Sequence, residues 1–391
     1  MKLVTDSKKI SEVLTRGVVE VLPSKEALAR LMKRQRIRLY LGIDPTAPRL
    51  HLGHTIPIRK LQEFAELGHE AILVIGTGTV LAGDPSAREK TRILITEKEI
   101  KKNIKDWKKQ AGKVLDFSKV KIRYNGDWLL KLKLRDIVQI ARHISAIKLF
   151  QRDMFQERLK KGGTVWTHET LYPLLQGYDS VALNTDLEIG GTDQVFNMLI
   201  GRELQEKMRS REKFVLTTPL VLGIDGKPMS KSSGNCVWIE DSASQMFGKI
   251  MSIPDELIRD YFALLTRIPT EEVKKGNPRD LKAKLAKEIV RIYHGEKAAK
   301  KAEEEFNKVF REKGLPSKIA AFETSKKVYL LVDLLFEAKL APSKSEARRV
   351  ILQGGAKIDG KVKKDWKEKI KTEEGMIIQV GKRKFLKIKI K

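Results

Sequence analysis

Short apolar runs alternate with helical patterns from residue 37 onward. Residues 37–43 (IRLYLGI) and 71–75 (AILVI) are continuous apolar runs, and between them Ile58, Leu61 and Phe64 recur at helical spacing. Such runs are typical of strands buried on both faces, and strand, helix, strand is the repeating unit of a parallel sheet. The pattern therefore predicts an α/β domain. Its further strands are predicted at 120–124, 185–189 and 214–222, and its longer helical stretches over much of 130–160 and 195–208.

The second half of the chain has a different pattern. Residues 241–310 show helical periodicity with dense charge, interrupted by a predicted loop at 274–282, and the polar stretch 312–327 predicts a linker. The last block ends in two alternating segments, GMIIQV and KFLKIKI, which predict strands. We therefore expect three domains, which are an α/β domain at 1–240 with a helical insertion at about 125–170, a helical domain at 241–320 and a small α+β domain at 329–391.

The net charge of the protein indicates which kinds of molecule it binds. The 391 residues include 78 Lys or Arg against 50 Asp or Glu, a formal charge of +28, which attracts polyanions such as nucleic acid or, as a second possibility, an anionic membrane surface. The single cysteine, Cys236, excludes an intramolecular disulfide and a cysteine-rich zinc site. The polar N-terminus and the lack of a run of about 20 apolar residues predict a cytoplasmic protein without a membrane segment.

The loop after the first predicted strand carries two histidines at the start of a helix. Residues 44–54 read DPTAPRLHLGH, so that His51 and His54 fall on one face of the first helical turn. Free backbone N–H groups at a helix start favour an anion, and Gly53 allows a flat ligand to approach the backbone. The alternative is a pair of surface or capping histidines. The position at the carboxyl edge of a buried strand, where open α/β sheets bind ligands, favours a ligand site.

A second candidate loop lies at 225–235, with the sequence DGKPMSKSSGN. Its lysines supply positive charge, and its hydroxyl and backbone N–H groups are donors for phosphate oxygens. Taken alone, such a cluster is usually a solvated loop. Together with the histidine loop it predicts a site for a nucleotide's phosphates.

These two loops resemble the HIGH and KMSKS signatures of class I aminoacyl-tRNA synthetases, and the detailed match is to bacterial-type tyrosyl-tRNA synthetases. Supporting stretches, in the family's order, are YLGIDPTA at 40–47, GDPS at 83–86, YPLLQGYD at 172–179 and GGTDQ at 190–194. The segments 342–355 (PSKSEARRVILQGG) and 381–385 (GKRKF) resemble an S4 RNA-binding module. One departure is that Pro228 replaces the first lysine of KMSKS, while Lys227 lies one place earlier and Lys231 keeps the second lysine's position.

The resemblance implies a fold and an activity. The fold is α/β, a Rossmann-type parallel-sheet catalytic domain followed by an all-helical domain and a small α+β S4-like RNA-binding domain. The activity is that of a tyrosine–tRNA ligase, which activates L-tyrosine with ATP and passes the tyrosyl group to the 3′ end of tRNA(Tyr). ATP is then a substrate that comes with Mg²⁺, with no tightly bound cofactor and no protein-held metal, and the enzyme is a homodimer.

The resemblance also implies roles for individual residues. The catalytic residues are Thr46, His51, His54, Lys227 and Lys231. Tyrosine is bound by Tyr40, Asp84, Tyr172, Gln176, Asp179 and Gln194. ATP is bound by Gly42, Asp44, Gly53, Asp193, Met229, Lys231 and Ser232. The tRNA is bound by Arg88, Arg92, Lys344, Arg348, Arg349, Lys382 and Arg383.

Selection of tyrosine requires polar partners for one hydroxyl group. A site that binds a phenol through buried polar groups rejects phenylalanine because those groups would be left unpaired, and tyrosyl-tRNA synthetases are the known example. Tyr172, Gln176 and Asp179 lie at i, i+4 and i+7, on one face of a predicted helix in an otherwise apolar stretch. Each also has an ordinary interpretation, as a half-buried aromatic, a surface amide or a turn residue. Their common face favours a pocket wall.

Three other functions compete with this interpretation. A tryptophanyl relative would share the fold and both loops, but an indole has no hydroxyl for Tyr40 and Asp179 to bind. A non-catalytic RNA-binding protein would suit the charge and the basic tail, yet need not keep the histidine loop or Lys231. A dinucleotide-binding enzyme is excluded because the loop after residue 43 lacks GxGxxG.

Overall fold

A computed structural model describes residues 2–85, 96–229, 234–273, 276–310, 319–381 and 384–391. Contacts divide the chain into two units, Met1–Ala299 and Lys300–Lys391. The three-domain division expected from the sequence stays a prediction. Within the described residues, no helix has the length and apolar character needed to cross a membrane.

The first unit is built on a six-stranded sheet. Its strands are β1 (Glu20–Leu22), β2 (Arg38–Ile43), β3 (Glu70–Ile75), β4 (Val120–Tyr124), β5 (Leu187–Gly191) and β6 (Phe214–Thr218). The order is β1-β6-β5-β2-β3-β4, and all neighbours are parallel except β1, which runs antiparallel to β6 at the edge. The predicted parallel sheet is confirmed. The short strand β1 was not predicted.

Fifteen α-helices lie among the described residues up to 310. They are α1 (Ser7–Val13), α2 (Lys25–Arg34), α3 (Leu52–Glu66), α4 (Thr79–Ala82), α5 (Glu97–Ala111), α6 (Gly126–Leu129), α7 (Leu134–Ala141), α8 (Ala146–Phe150), α9 (Asp153–Lys160), α10 (Thr167–Leu183), α11 (Val195–Arg209), α12 (Ala243–Ile250), α13 (Ile258–Leu265), α14 (Pro278–His294) and α15 (Glu296–Phe310). The helical pattern predicted over much of 130–160 consists of three short helices. Among the described residues of 241–310 the structure is helical, as the periodicity indicated.

The start of α14 corrects one prediction. A loop was expected over 274–282, but the helix begins at Pro278, and the Asn277 side chain accepts a hydrogen bond from Arg279 N at 2.9 Å. Proline suits the first helical position because the N–H it lacks would have no partner within the helix. The proline thus marks the beginning of a helix.

Besides most of α15, the described residues of the second unit form a five-stranded sheet, a two-stranded sheet and two further helices. Its elements are β7 (Ala320–Thr324), β8 (Val328–Leu330), α16 (Leu331–Glu337), α17 (Lys344–Leu352), β9 (Ala356–Ile358), β10 (Lys361–Lys363), β11 (Lys369–Lys371), β12 (Ile377–Val380) and β13 (Lys384–Ile390). The two strands predicted near the C-terminus are confirmed. The linker predicted at 312–327 is wrong for Ala320–Thr324, because this polar segment pairs in parallel with the edge of β13.

Arg16 ties the N-terminal segment to the end of α13. Its guanidinium donates to the carbonyl oxygens of five residues at 2.7–3.3 Å, and these residues are Phe262, Ala263, Thr266, Arg267 and Ile268. The last carbonyls of a helix have no partner within the helix, so that one planar cation satisfies several of them together.

We expect Arg16→Ala to lower the free energy of unfolding by about 2–3 kcal/mol, because carbonyls that bind a cation would lose it. The free energy of unfolding of Arg16→Lys should lie between those of the wild type and Arg16→Ala, because an ammonium cannot reproduce the planar arrangement of the guanidinium donors. Arg30→Ala, on the exposed side of α2, is the control and should change stability by less than about 0.5 kcal/mol. Urea unfolding measures all three. Equal midpoints for Arg16→Ala and Arg30→Ala would contradict this account.

Candidate active site

The candidate site lies beside β2, where the direction in which successive strands are added to the sheet reverses. From β2 the chain moves outward through β3 to β4, whereas β5 and β6 lie on the other side of β2. The loops that leave β2 and β5 therefore run in opposite directions and open a crevice at the carboxyl ends of these strands. The predicted histidine loop follows β2 and the GGTDQ segment follows β5, so that both border this crevice.

The two histidines cap the start of α3. Gly53 N donates to Nδ1 of His51 at 3.2 Å, and His51 N donates to Nδ1 of His54 at 3.2 Å. The ring centroids are 3.8 Å apart, which confirms that the two rings share a face. Because each Nδ1 accepts a hydrogen bond, the neutral ring carries its proton on Nε2. A Cβ at Gly53 would come within 3.0 Å of the His51 ring, so that a side chain there would crowd this histidine.

Helix α5 holds the histidine loop in place. Asn103, Trp107 and Gln110 lie at i, i+4 and i+7 on this helix. Their side chains donate to the carbonyls of Pro45, Ala47 and Pro48 at 2.8, 2.5 and 2.8 Å. Thr46, between these anchored residues, is half-buried, and its N–H donates to Asp44 O at 2.8 Å. The loop that carries Thr46 is therefore fixed from one side by a single helix face, which the sequence analysis did not identify.

The lysine-rich loop begins and ends beside the histidines. Leu52 N donates to Val237 O, and Ile239 N donates to Leu50 O, both at 3.0 Å. Gly223 N and Asn235 Nδ2 donate to the carbonyl of Lys227 at 2.6 and 3.4 Å, so that the backbone of the turn is fixed while the Lys227 side chain is exposed. Met229 is half-buried. Lys231 and Ser232 lie outside the described residues.

Tyr40 on β2 and Asp179 on α10 both have buried side chains. Trp128 Nε1 and Asn125 Nδ2 donate to the Asp179 carboxylate at 2.8 and 3.1 Å, and the Tyr40 hydroxyl lies 2.9 Å from Ser180 Oγ. Burial raises the pKa of Asp179 well above its usual range, against the effect of its two hydrogen bonds. Burial likewise raises the pKa of Tyr40, and the acidic groups nearby add to it.

Tyr172 lies on the same face of α10 as Asp179, and its side chain meets Asp44 from the loop after β2. Tyr172 Oη donates to Asp44 Oδ2 at 3.0 Å, and Thr79 Oγ1 donates to Asp44 Oδ1 at 2.7 Å. A Cβ at Gly76 would lie 1.9 Å from Asp44 Oδ1, so that this carboxylate occupies the space that only a glycine leaves. Gly42 follows Tyr40 on the same face of β2 and is exposed.

The segment after β5 brings three more predicted residues together. Gln194 Nε2 donates to Asp84 Oδ2 at 3.0 Å and to Asp193 Oδ2 at 3.1 Å. A Cβ at Gly191 would lie 2.4 Å from Asp193 Oδ1, which shows how closely this side chain folds over the end of β5. Asp84, Asp193 and Gln194 thus form one polar group at the crevice.

Gln176 contacts Glu188, which is paired with Lys213, and the sequence analysis missed both charged residues. Its Nε2 donates to Glu188 Oε1 at 3.1 Å, and Glu188 pairs with Lys213; both charged side chains are buried. Glu188 lies opposite Tyr40 in the pairing of β5 with β2. A signal was available, since Glu188 interrupts an apolar strand and Lys213 directly precedes another, and buried charges are rare unless paired.

The residues assigned to tRNA belong to the second unit or lie outside the described residues. Lys344, Arg348 and Arg349 are exposed on α17 of the second unit. Lys344 pairs with Asp333 at 2.8 Å, Arg349 with Glu346 at 2.8 Å, and Arg348 lies 4.5 Å above the ring of Trp366. Arg88, Arg92, Lys382 and Arg383 lie outside the described residues.

Comparisons with known proteins agree with this geometry. Residues 32–311 match the model of tRNA synthetases class I (W and Y), and residues 306–388 match the tyrosine–tRNA ligase SYY-like C-terminal domain. The chain therefore belongs to the class I tRNA synthetases of the W and Y family, which use ATP as a substrate.

Curated relatives place it further within that family. It is 44% identical to the tyrosine–tRNA ligase of Thermotoga maritima over 96% of both chains, and 41% identical to that of Moorella thermoacetica over 99% of this chain and 97% of the other. A crystal structure of the Archaeoglobus fulgidus tyrosyl-tRNA synthetase complexed with L-tyrosine has a TM-score of 0.62 and 22% identity, covering 76% of this chain and 100% of that one, a likeness of fold. The predicted resemblance to tyrosyl-tRNA synthetases is confirmed.

We expect Gly76→Ala to lower the free energy of unfolding by about 1–3 kcal/mol, because the added methyl must displace the Asp44 carboxylate. Gly248→Ala is the matched control, as a Cβ at this helical glycine meets nothing within 4 Å. It should raise stability by about 0.5–1 kcal/mol through the higher helix propensity of alanine. Urea denaturation compares the two variants. The account of Asp44 would be wrong if Gly76→Ala were as stable as Gly248→Ala.

Proposed function

We propose that this chain is a tyrosine–tRNA ligase that converts L-tyrosine and ATP to tyrosyl-adenylate and pyrophosphate, and then transfers the tyrosyl group to the 3′ end of tRNA(Tyr). The observation that carries this proposal is the buried pair of Tyr40 and Asp179 on one side of the sheet. A hydroxyl and a carboxylate, both withdrawn from water, complement a phenol, which donates one hydrogen bond and accepts others.

The first step needs no nucleophile from the protein, because the carboxylate of tyrosine attacks the α-phosphate of ATP. The site supplies alignment and stabilises the charge that develops on the phosphate oxygens. His51 and His54 suit this role, since capping of α3 leaves the proton of each neutral ring on Nε2. We assign Thr46 to the same phosphates.

The remaining ATP contacts come from both borders of the crevice. Lys231 and Ser232, with Lys227, bind the pyrophosphate that leaves. Gly42, Gly53, Asp44, Asp193 and Met229 hold the nucleotide. Mg²⁺ enters with ATP as part of the substrate. Among the described residues, no group of three or more His, Cys, Asp or Glu side chains could hold a metal ion.

The far end of the tyrosine pocket binds the α-amino and carboxylate groups. Asp84, Tyr172 and Gln176 offer oxygen atoms to the ammonium group, and Gln194 lies beside Asp84, within 3.0 Å, at the carboxylate end. An ammonium has three donors and no acceptor, so that a carboxylate with neighbouring oxygens complements it.

For tRNA we propose two regions. Arg88 and Arg92 bind the acceptor end, and Lys344, Arg348, Arg349, Lys382 and Arg383 bind the RNA through the S4-like region. The exposed cations of α17 would contact phosphates, which gives affinity that falls with salt and carries little sequence preference. Consistent with this, residues 341–391 contain 16 Lys or Arg against 6 Asp or Glu. The reaction takes place in the cytoplasm, as the resemblance implies.

We also propose that the enzyme is a homodimer. Exposed apolar side chains are frequent between residues 130 and 166, and six of them are Leu130, Leu134, Val138, Ile147, Leu159 and Trp166. Leu134 is 78% exposed and Ile147 70%. An apolar surface of this kind, in a chain with such a high charge elsewhere, suits a contact with a second copy.

The dimer predicts a mass of about twice 44.5 kDa in sedimentation velocity. Leu134→Lys combined with Ile147→Lys should shift the protein to the monomer, because two charges would enter the apolar contact. Leu352→Lys, at an exposed leucine of α17, should leave the mass of the dimer unchanged. A double variant that sediments with the wild type would place the interface elsewhere.

The function is tested by ATP–pyrophosphate exchange with each of the twenty amino acids in the absence of tRNA. We expect exchange with tyrosine alone, and we expect Asp179→Ala to abolish it or to remove the preference over phenylalanine, because the phenol would lose a buried partner. Exchange with tryptophan would keep the enzyme class and overturn the roles of Tyr40 and Asp179. Absence of exchange from folded protein that still binds RNA would favour a non-catalytic RNA-binding protein.

A further inference from the structure

A charged network lies beneath the pocket and touches both of its ends. Lys213 Nζ donates to the Glu188 carboxylate, to Ser180 Oγ at 2.7 Å and to Met198 O at 3.2 Å. Lys213 and Ser180 are fully buried, and Glu188 is 1% exposed. An ammonium has three N–H donors, and here each has an acceptor, so that the orientation of the group is fixed.

Two glycines make room for this lysine where α10 and α11 cross. A Cβ at Gly201 would lie 2.6 Å from Lys213 Nζ and 2.8 Å from Ser180 Oγ, and a Cβ at Gly177 would lie 3.1 Å from Gly201 N. The helices therefore approach backbone to backbone and enclose the ammonium. Burying a charge is costly unless it is paired and hydrogen-bonded. The buried pair of Lys213 and Glu188 meets both conditions, and its position beside Tyr40 and Gln176 indicates a role in the site.

At the phenol end, the network reaches Tyr40 through Ser180. Ser180 Oγ lies 2.9 Å from Tyr40 Oη, and either hydroxyl can donate. The positive Lys213 donates to Ser180 Oγ, which makes the Ser180 hydroxyl a poorer acceptor and a better donor. Hydrogen bonds are then donated in series, from Lys213 to Ser180 and from Ser180 to Tyr40. The proton of Tyr40 is left to be donated to another acceptor, while Asp179 remains an acceptor held by Asn125 and Trp128.

At the ammonium end, the network reaches Gln176 directly. The Glu188 carboxylate accepts from Gln176, so that only the NH₂ group of this amide can face it. The amide orientation is thereby set, and Oε1 points away from Glu188. Among the described residues, this buried oxygen has no hydrogen-bond partner, and it is available as an acceptor.

We propose that Lys213 and Glu188 are positioning residues that set the hydrogen-bond polarity of both ends of the amino-acid pocket, making Tyr40 a donor to the substrate phenol and Gln176 an acceptor for the substrate ammonium. This inference rests on the proposed function, since it takes tyrosine as the occupant. Both charged residues act without touching the substrate: Lys213 acts through Ser180, and Glu188 acts through Gln176 and by its charge beside Tyr40.

The two ends can be tested separately because each link is a different atom pair. Ser180→Ala removes the connection from Lys213 to Tyr40 and leaves the ion pair and Gln176 in place. Glu188→Gln removes the charge that fixes the Gln176 amide and keeps the volume. Thr324→Val is the matched control, because Thr324 Oγ1 lies 2.8 Å from Tyr329 Oη in another buried hydroxyl pair, in the second unit.

Two ratios are measured for each variant. The first is kcat/KM for tyrosine over phenylalanine in ATP–pyrophosphate exchange. The second is the affinity for L-tyrosine over its des-amino analogue by calorimetry. We expect Ser180→Ala to reduce the first ratio at least tenfold and leave the second unchanged, and Glu188→Gln to reduce the second at least fivefold, with KM for ATP within about twofold of the wild type in both. Thr324→Val should change neither ratio.

A structural role alone predicts another pattern. If Ser180→Ala lowered exchange with tyrosine and phenylalanine by the same factor, or if both variants kept both ratios, the positioning role would be wrong. Urea unfolding identifies a variant that fails to fold. In that case Gly201→Ala is measured in place of the unfolded variant, because the added methyl displaces Lys213 Nζ without removing its charge. Wild-type protein without tyrosine-dependent exchange would instead contradict the proposed function itself.

Discussion

The pairing of β2 with β5 is the constraint on which the site depends. These strands are far apart in the chain, yet their register places Tyr40 opposite Glu188 and brings the loops that follow them to one crevice. The apolar runs on either side supply the burial that holds the two strands together. Helix α10 then lies over this pair, and its polar side chains meet groups from β2, from β5 and from the segment after β4. A shift of the register by one residue would turn Tyr40 to the other face of the sheet and separate it from Ser180.

The candidate site combines two kinds of stabilisation, and they differ in charge. The histidine loop is held by neutral hydrogen bonds from buried side chains of α5 and by the capping of α3. The proposed amino-acid pocket is held by buried charges, where hydrogen bonds are stronger and an unpaired group is more costly. The first arrangement suits a phosphate chain that arrives with its own cations. The second suits a small ligand that must be read by a few polar atoms.

The sequence predicted the parts of the fold that rest on local patterns. The strand at 70–75 contains the continuous apolar run 71–75, and those at 38–43 and 120–124 are short segments rich in apolar residues. A segment whose pairing is long-range was missed, since Ala320–Thr324 lies in a polar stretch of the chain and becomes a strand by pairing with β13. The prediction at Pro278 was wrong because proline interrupts the interior of a helix but is also favoured at the first position of one. Within the site, motifs identified the side chains that border the crevice, while Lys213 and Glu188 have no motif and are brought together by the pairing of β5 with β6.

The buried pair of Lys213 and Glu188 sets a condition on any attempt to change which amino acid this pocket accepts. Replacing Tyr40 or Asp179 alone to admit an apolar side chain would leave a network that still directs a donor and an acceptor into the space. Removing only one member of the pair would strand a charge away from water, which is more damaging than removing both. Libraries for reassigning the pocket should therefore vary Lys213, Glu188 and Ser180 together with the residues that line it, as a single unit of design.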